Sequence, residues 1–267
     1  MAWAKFAIFY VAALLGAVAI VPYSLRLIEQ SGRSISPNRF LLLSLAQNAV
    51  LFAVVIALGL LAARAVGLGA PYVEAALGGR ALDYPAGEML MRSIGLGGAG
   101  GALLLAIDLV LIQFLPALLD LTRKTSLWEN FTASFYGGLN EEFLFRLLGL
   151  SGAAWLLSQL WHSPAGGPTD ATLWLANVIM AVAFGLGHLP AALAITGGIT
   201  PLLVGRTLVL NGLIALICGW LFWRFGIEAA IAAHFTTDIV YHVGGTMLLR
   251  ANDQFGILSR FKTKKRA

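Results

Sequence analysis

Residues 140–150 read NEEFLFRLLGL and place two adjacent glutamates and an arginine inside an apolar segment. The charged residues are Glu141, Glu142 and Arg146, and phenylalanines and leucines surround them. Insertion scales put the cost of one ionisable side chain at the bilayer centre at ~2.5 kcal/mol or more. A chain that keeps three such side chains close together is therefore expected to use them.

The composition is that of a polytopic membrane protein. Of the 267 residues, 59% are hydrophobic and 12% are charged, whereas soluble domains carry about 25% charged residues. A membrane-spanning helix needs about 20 mostly apolar residues, and the sequence contains seven such stretches. An eighth, short or re-entrant piece could lie near residues 68–80. We therefore predict an all-α fold, a transmembrane helical bundle of about 7–8 spans with a buried polar active site. The main spans are predicted at 6–25, 40–63, 94–119, 131–161, 172–194, 201–223 and 227–249.

The positive charge is concentrated after the last predicted span. Short basic segments stay on the cytoplasmic side of a membrane, so we predict a cytoplasmic C-terminus and an external N-terminus. We expect an integral protein of the plasma (inner) membrane of a prokaryote. The basic tail is interpreted as a topology signal that contacts anionic lipid of the bilayer, and it does not indicate a nucleic-acid partner. Its basic residues are Arg250, Arg260, Lys262, Lys264, Lys265 and Arg266.

The chain divides into three predicted parts. Residues 1–125 form N-terminal transmembrane helices of about three spans, residues 126–250 a catalytic helical core, and residues 251–267 the basic tail. We interpret the first apolar segment as a retained span, since its apolar run is longer than that of a typical signal peptide. Turn-rich breaks are predicted at 162–171 and at 190–201.

Two further polar sites follow the glutamates in apolar segments. Phe184 and His188 stand four residues apart in AFGLGHL, and His234 and Asp238 do so in AAHFTTDIV. Because positions four apart share one side of a helix, each pair is expected to face one way. Two histidines and several carboxylates on three helices can build a compact polar site inside a bundle.

The two glutamates are expected to play different roles. Glu142 and Arg146 stand four residues apart and can pair, whereas Glu141 is turned by about 100° from Glu142. A carboxylate that is left free suits a general base. We interpret Asp108 as structural, paired with Arg206, and leave Arg206 and His242 out of the site.

The three motifs, in this order, resemble those of the CPBP family of intramembrane peptidases, also called the CAAX-protease and bacteriocin-processing or Abi family. That family includes the type II CAAX prenyl endopeptidases, and its motifs are EExxxR, FxxxH and HxxxN or HxxxD. The resemblance covers about residues 130–245. In this chain the motifs fall on Glu141, Glu142 and Arg146, on Phe184 and His188, and on His234 and Asp238.

The resemblance implies hydrolysis of a peptide bond within the membrane. Carried over by position, Glu141 would activate the attacking water, and Glu142 with Arg146 would position it and hold the local helix. His188 would help to bind or polarise the water. The substrate would be a membrane-anchored or membrane-delivered protein or peptide, processed at a CAAX-type C-terminus or at a leader.

The resemblance further implies that His234 and residue 238 stabilise the oxyanion of the tetrahedral intermediate. Here this chain departs from the CAAX endopeptidases, in which position 238 would be asparagine. Asp238 can donate a hydrogen bond only when it is protonated. When ionised, it would fit better as the residue that orients protonated His234 or as a metal ligand.

The cofactor is left open by the sequence. His188 and His234 with Glu141 or Asp238 could form a zinc site with water in the fourth position. The chain has no HExxH motif, which would be the signature of a soluble zinc peptidase. Its one cysteine, Cys218, excludes an internal disulfide and a cysteine-based metal site. We favour water activated by a glutamate, without a metal.

Two other functions would also place ionisable groups inside a membrane. One is a proton-coupled transporter, in which Glu, His and Asp serve as proton relays, although no internal repeat typical of transporters is evident. The other is a non-catalytic membrane scaffold or immunity protein built on the same fold, since one fold hosts many functions.

Overall fold

The computed structural model describes residues 2–78, 81–164 and 166–255, which form helices joined by turns and loops, without any β-strand. The predicted all-α fold is confirmed. The α-helices are α1 (Ala2–Ala19), α2 (Val21–Gln30), α3 (Pro37–Ala65), α4 (Pro71–Ala76), α5 (Ala86–Leu111), α6 (Pro116–Lys124), α7 (Leu127–Tyr136), α8 (Ser151–Ser158), α9 (Asp170–Thr196), α10 (Pro201–Phe225), α11 (Ile227–Asp238) and α12 (Gly244–Phe255).

Five stretches of the described residues are long and apolar enough to cross a membrane. They coincide with the first, second, third, fifth and sixth predicted spans, and large apolar side chains on them, such as Leu42, Leu61 and Leu103, are exposed. Such an apolar exterior is what a helix bundle presents to lipid. The five stretches are Ala2–Gln30, Pro37–Ala65, Ala86–Phe114, Asp170–Thr196 and Pro201–Phe225.

The fourth and seventh predicted spans are long helices that contain π-helical segments. Residues 127–158, which we call the glutamate helix, run from α7 to α8 through π segments at Gly137–Glu141 and Phe143–Leu150. Residues 227–255, which we call the His234 helix, run from α11 to α12 through a π segment at Ile239–Val243. Each helix exceeds the length of about 20 residues that a span needs. Glu141 and Arg146 lie in the first two π segments and Asp238 directly precedes the third, and π segments are frequent at functional sites.

Side-chain caps fix where several helices begin. Ser126 and Glu129 form a reciprocal capping box at the start of the glutamate helix, with the Ser126 N–H donating to Glu129 over 2.6 Å. The predicted break at 162–171 is confirmed, since α8 ends at Ser158 and α9 begins at Asp170. The predicted break at 190–201 was wrong over residues 190–196, because α9 continues through Pro190 to Thr196 and ends before Gly197, whose φ is 71°.

The first helices pack against the glutamate helix and share its apolar core. The ring of Phe9 stacks on Phe143 with 4.9 Å between centroids. Asn140, fully buried, donates to the carbonyl of Ala13 over 2.9 Å and occupies space that Gly16 leaves open. Residues before and after position 125 thus contribute to one core, and the division into an N-terminal part and a catalytic core stays a prediction.

Glycines on α5 allow the His234 helix to approach closely. A Cβ added to Gly97 would lie 2.9 Å from the Cα of Ala233, and one added to Gly101 would lie 2.9 Å from the carbonyl oxygen of Thr237. Thr237 Oγ1 donates to the carbonyl of Gly97 over 2.9 Å. Small residues spaced by four are the usual means of close helix contact in membranes, and here they set the depth at which His234 enters the bundle.

Two sequence predictions concern the ends and loops of the chain. The predicted piece near residues 68–80 contains the short helix α4, whose Val73 N–H donates to Glu228 over 2.8 Å. Most basic residues of the predicted tail, from Arg260 onward, lie outside the described residues. The predicted membrane orientation therefore stays a prediction.

We expect the variant Gly97→Val to destabilise the fold by about 1–3 kcal/mol or more, because the added side chain would collide with the backbone of Ala233. The measurement is the midpoint of thermal unfolding of the purified protein in detergent. The control is Gly95→Val, since a Cβ at Gly95 meets nothing within 4 Å. Equal midpoints for the two variants would contradict the close contact between α5 and the His234 helix.

Candidate active site

The six predicted site residues meet at one place in the bundle, where the glutamate helix, α9 and the His234 helix face one another. One half of the cluster is buried. His234 Nδ1 lies 2.6 Å from Glu142 Oε1, and Arg146 Nη1 lies 2.9 Å from the same oxygen. The side chains of Glu142 and Arg146 are 0% and 2% exposed. Since an ionised carboxylate only accepts, Nδ1–H of His234 donates to Glu142.

The buried arginine is held by charge and by an aromatic ring more than by hydrogen bonds. Its Nη1 is close to Glu142 but is not aligned for a hydrogen bond. Its guanidinium lies over the ring of Phe184, 5.0 Å from the centroid, in a cation–π contact. The same ring lies 4.6 Å from the His188 ring and 5.7 Å from the His234 ring. Phe184 therefore separates and orients the three cationic or basic groups.

The other half of the cluster is open. Glu141 is 21% exposed, and its two carboxylate oxygens lie 3.7 Å from His188 Nε2 and 3.8 Å from His234 Nε2. These separations are too long for direct hydrogen bonds, but they leave room for a bridging water. The neighbours Glu141 and Glu142 are turned apart by their helix, so one carboxylate faces the open side and the other faces the protein interior.

His188 is oriented by its own helix. Its Nδ1 lies 2.8 Å from the carbonyl oxygen of Phe184, four residues earlier. A carbonyl oxygen only accepts, so Nδ1 carries the proton and donates it there. The Nε2 atom of a neutral His188 is then an acceptor that faces Glu141.

Asp238 lies on the open side, beside His234 but not where it would orient that ring. Its Oδ1 is 3.8 Å from His234 Nε2 and 3.9 Å from His242 Nε2. The nitrogen that fixes the His234 ring, Nδ1, is bound by Glu142 instead. Asp238 packs against Gly137, where a Cβ would collide with its carboxylate. The geometry thus gives the orienting contact to Glu142, whereas the sequence had offered Asp238 for it.

A cavity of about 670 Å³ connects these groups. Glu141, His188, His234 and Asp238 line it, whereas Glu142 and Arg146 lie behind its wall. Several residues that we had left out of the site also line it. Tyr241 and His242 follow His234 by seven and eight positions, a spacing that would share one face of a continuous α-helix, although both lie in the π segment Ile239–Val243. Among the further polar lining residues are Asp108, Arg206, Tyr241 and His242.

Within the described residues, one group of three potential metal ligands lies together, and it differs from the predicted set. Atoms of Glu142, Cys218 and His234 lie within 4.8 Å of one another. Glu142 Oε1 already accepts from His234 and adjoins the guanidinium of Arg146. The guanidinium of Arg146, 2.9 Å from Glu142 Oε1, is a fixed positive charge that would repel a metal cation bound to that oxygen. This group of residues therefore does not fit a metal.

Comparison with known proteins bears on the family. Residues 123–240, somewhat less than half of the chain, match the family model of the type II CAAX prenyl endopeptidases, described as Rce1-like. The matched segment contains all six site residues. The match confirms the family that the three motifs predicted. Neither a curated protein nor a solved structure matches the chain.

We expect Arg146→Ala to cost about 3–5 kcal/mol of stability, because it leaves the carboxylate of Glu142 buried without the guanidinium that balances its charge. The measurement is again the thermal unfolding midpoint in detergent. The control is Arg92→Ala, which removes an arginine from an exposed ion pair with Glu88 and should cost at most about 1 kcal/mol. Similar midpoints for the two variants would contradict a structural role for the buried pair.

Proposed function

We propose that this chain, whose residues 123–240 match the family model of the type II CAAX prenyl endopeptidases, hydrolyses a peptide bond in membrane-delivered peptides by means of water activated by Glu141. An integral membrane protein of a peptidase family acts on a peptide substrate in contact with the lipid bilayer. The finer proposal is that the substrate is a prenylated C-terminal peptide of the CAAX kind.

One observation carries the proposal. Glu141 is the carboxylate of the glutamate pair that faces the cavity, and its oxygens lie 3.7 and 3.8 Å from the Nε2 atoms of the two motif histidines. Glu142 is engaged with His234 and Arg146 and is fully buried. A general base must reach its proton directly or through one water, and Glu141 has that access.

In the proposed first step, one water lies between Glu141 and His188. It donates one proton towards the Glu141 carboxylate and one hydrogen bond to His188 Nε2, whose acceptor state is set by the Phe184 carbonyl. A lone pair on the water oxygen then points at the substrate carbonyl carbon. Glu141 takes the proton as the new C–O bond forms, which gives a tetrahedral intermediate with a negative oxygen.

His234 is proposed to stabilise that oxygen. Its Nδ1–H is committed to Glu142, so Nε2 donates into the cavity only when the ring is an imidazolium. Glu142, 2.6 Å from Nδ1, stabilises that cation by charge, in the manner of a fixed electrostatic environment. Collapse of the intermediate breaks the C–N bond, and the proton held by Glu141 passes to the leaving amine. The balance is one water consumed, with one acid and one amine formed.

The proposal predicts that Glu141→Gln lowers kcat for cleavage of a farnesylated CAAX peptide at least ~100-fold, because a general base contributes 10²–10⁴-fold. Purified protein in liposomes is assayed with and without a chelator, and we expect no effect of the chelator. The control is Glu88→Gln, an exposed glutamate on α5, which should keep full activity.

Unchanged cleavage by the Glu141 variant would overturn the proposed base. Loss of activity in chelator, restored by zinc, would overturn the metal-free reaction. A wild-type protein that cleaves nothing would favour the scaffold or the transporter, which need no general base beside a water.

Position 238 gives a second prediction. We expect Asp238→Asn to retain substantial activity, since an amide fills the same volume and can donate to the oxyanion. Asp238→Leu leaves no hydrogen-bonding group at this position and should lower kcat by ~10²-fold or more, the loss typical of one missing oxyanion donor. The readout is kcat on the same peptide. Equal loss in both variants would show that the charge of Asp238 is required, as a counter-ion of His234.

A further inference from the structure

A second polar cluster lies in the wall of the same cavity. Arg206 donates from Nε to Asp108 Oδ1 over 2.6 Å and from Nη2 to Asp108 Oδ2 over 2.7 Å. Tyr241 donates from its hydroxyl to Asp108 Oδ2 over 2.6 Å and accepts from Arg206 Nη2 over 3.0 Å. The pairing of Asp108 with Arg206 was predicted from the sequence, and its position in the cavity was not.

The cluster leaves part of the arginine unused. A guanidinium has five N–H groups, and the bonds to Asp108 and Tyr241 use the one on Nε and the two on Nη2. Nη1 has no hydrogen-bond partner among the described residues. This atom is also not enclosed by the protein, so a ligand can reach it. The Arg206 side chain is 14% exposed and lines the cavity. Two N–H donors of a rigidly held arginine are thus available to a ligand.

We propose that Nη1 of Arg206 binds the C-terminal carboxylate of the peptide substrate; this rests on the proposed peptidase function. A carboxylate is the anion that every unmodified peptide carries at its end, and it matches the planar guanidinium in a directed, charge-assisted hydrogen bond. Asp108 and Tyr241 are positioning residues, which fix the plane of the guanidinium.

The spacing along the His234 helix supports this assignment. Tyr241, which touches Arg206, follows His234 by seven residues, or at most about 10 Å along the helix at the α-helical rise of 1.5 Å per residue, since residues 239–241 lie in a π segment. An extended peptide advances about 3.3–3.6 Å per residue, so about three residues span the distance from the oxyanion position to the arginine. A bond directly after the cysteine of a CAAX sequence lies three residues from the C-terminus, which fits that span.

The experiment compares two forms of one farnesylated CAAX peptide, with a free C-terminal carboxylate and with a C-terminal amide. The ratio of their kcat/KM values is measured on each protein preparation, so the ratio does not depend on the fraction of folded enzyme. We expect the wild type to prefer the free acid by ~10-fold or more, as a hydrogen bond to a charged group contributes. In Arg206→Gln the ratio should fall towards one, mainly through a higher KM for the acid.

Two further variants keep the test decisive. Arg206→Lys keeps a positive charge beside Asp108 but lacks the planar set of donors of a guanidinium. It should also lose most of the preference for the free acid, and it serves as the test if Arg206→Gln fails to fold. Arg92→Gln, on the exposed surface of α5, should keep the wild-type ratio.

A wild type that cleaves both peptides equally well would overturn the proposal while the peptidase function stands. So would an Arg206 variant that loses activity on both peptides by one factor, which would indicate a structural clamp or a lipid phosphate as the ligand. Cleavage of neither peptide by the wild type, with no difference from Glu141→Gln, would overturn the peptidase function and this inference together.

Discussion

The buried contact of Glu142 with His234 is the interaction on which the site depends. It joins the glutamate helix to the His234 helix across 2.6 Å, and the adjacent Arg146 balances the charge of the carboxylate. Leaving one such group without its partner inside a membrane protein is costly. The three groups therefore hold one another in place, and the ring of His234 is fixed with Nε2 towards the cavity.

This contact needs helices that approach closely. Gly97 and Gly101 on α5 carry no side chain that would push the His234 helix away. Gly137, on the glutamate helix, leaves space for the carboxylate of Asp238. The π segments lie in the same region, where the widened turn alters which side chains face inward. Packing of small residues and polar contacts can thus replace the hydrophobic force that drives helices together in water.

The cavity gives the polar groups different environments within a short distance. Glu142 and Arg146 are enclosed, whereas Glu141 and His188 are partly exposed in the cavity wall. Glu142, enclosed beside His234 and Arg146, joins the helices, whereas Glu141 is the carboxylate that we propose as the base. A second cluster lies in the wall of the same cavity and consists of Asp108 on α5, Arg206 on α10 and Tyr241 on the His234 helix. There too an ion pair is formed within the protein, while the guanidinium presents unused donors to the cavity.

The sequence by itself determined the membrane class, most of the spans and the three motifs, because apolar length and the four-residue spacing are local properties of a helix. It also indicated that Glu142 and Glu141 face different ways, and that Asp108 pairs with Arg206. It could not determine that Glu142 binds Nδ1 of His234, or that Arg206 and Tyr241 line the cavity with Glu141. Those facts depend on how deep and at what rotation separate helices meet, and only the tertiary packing at Gly97, Gly101 and Gly137 decided them.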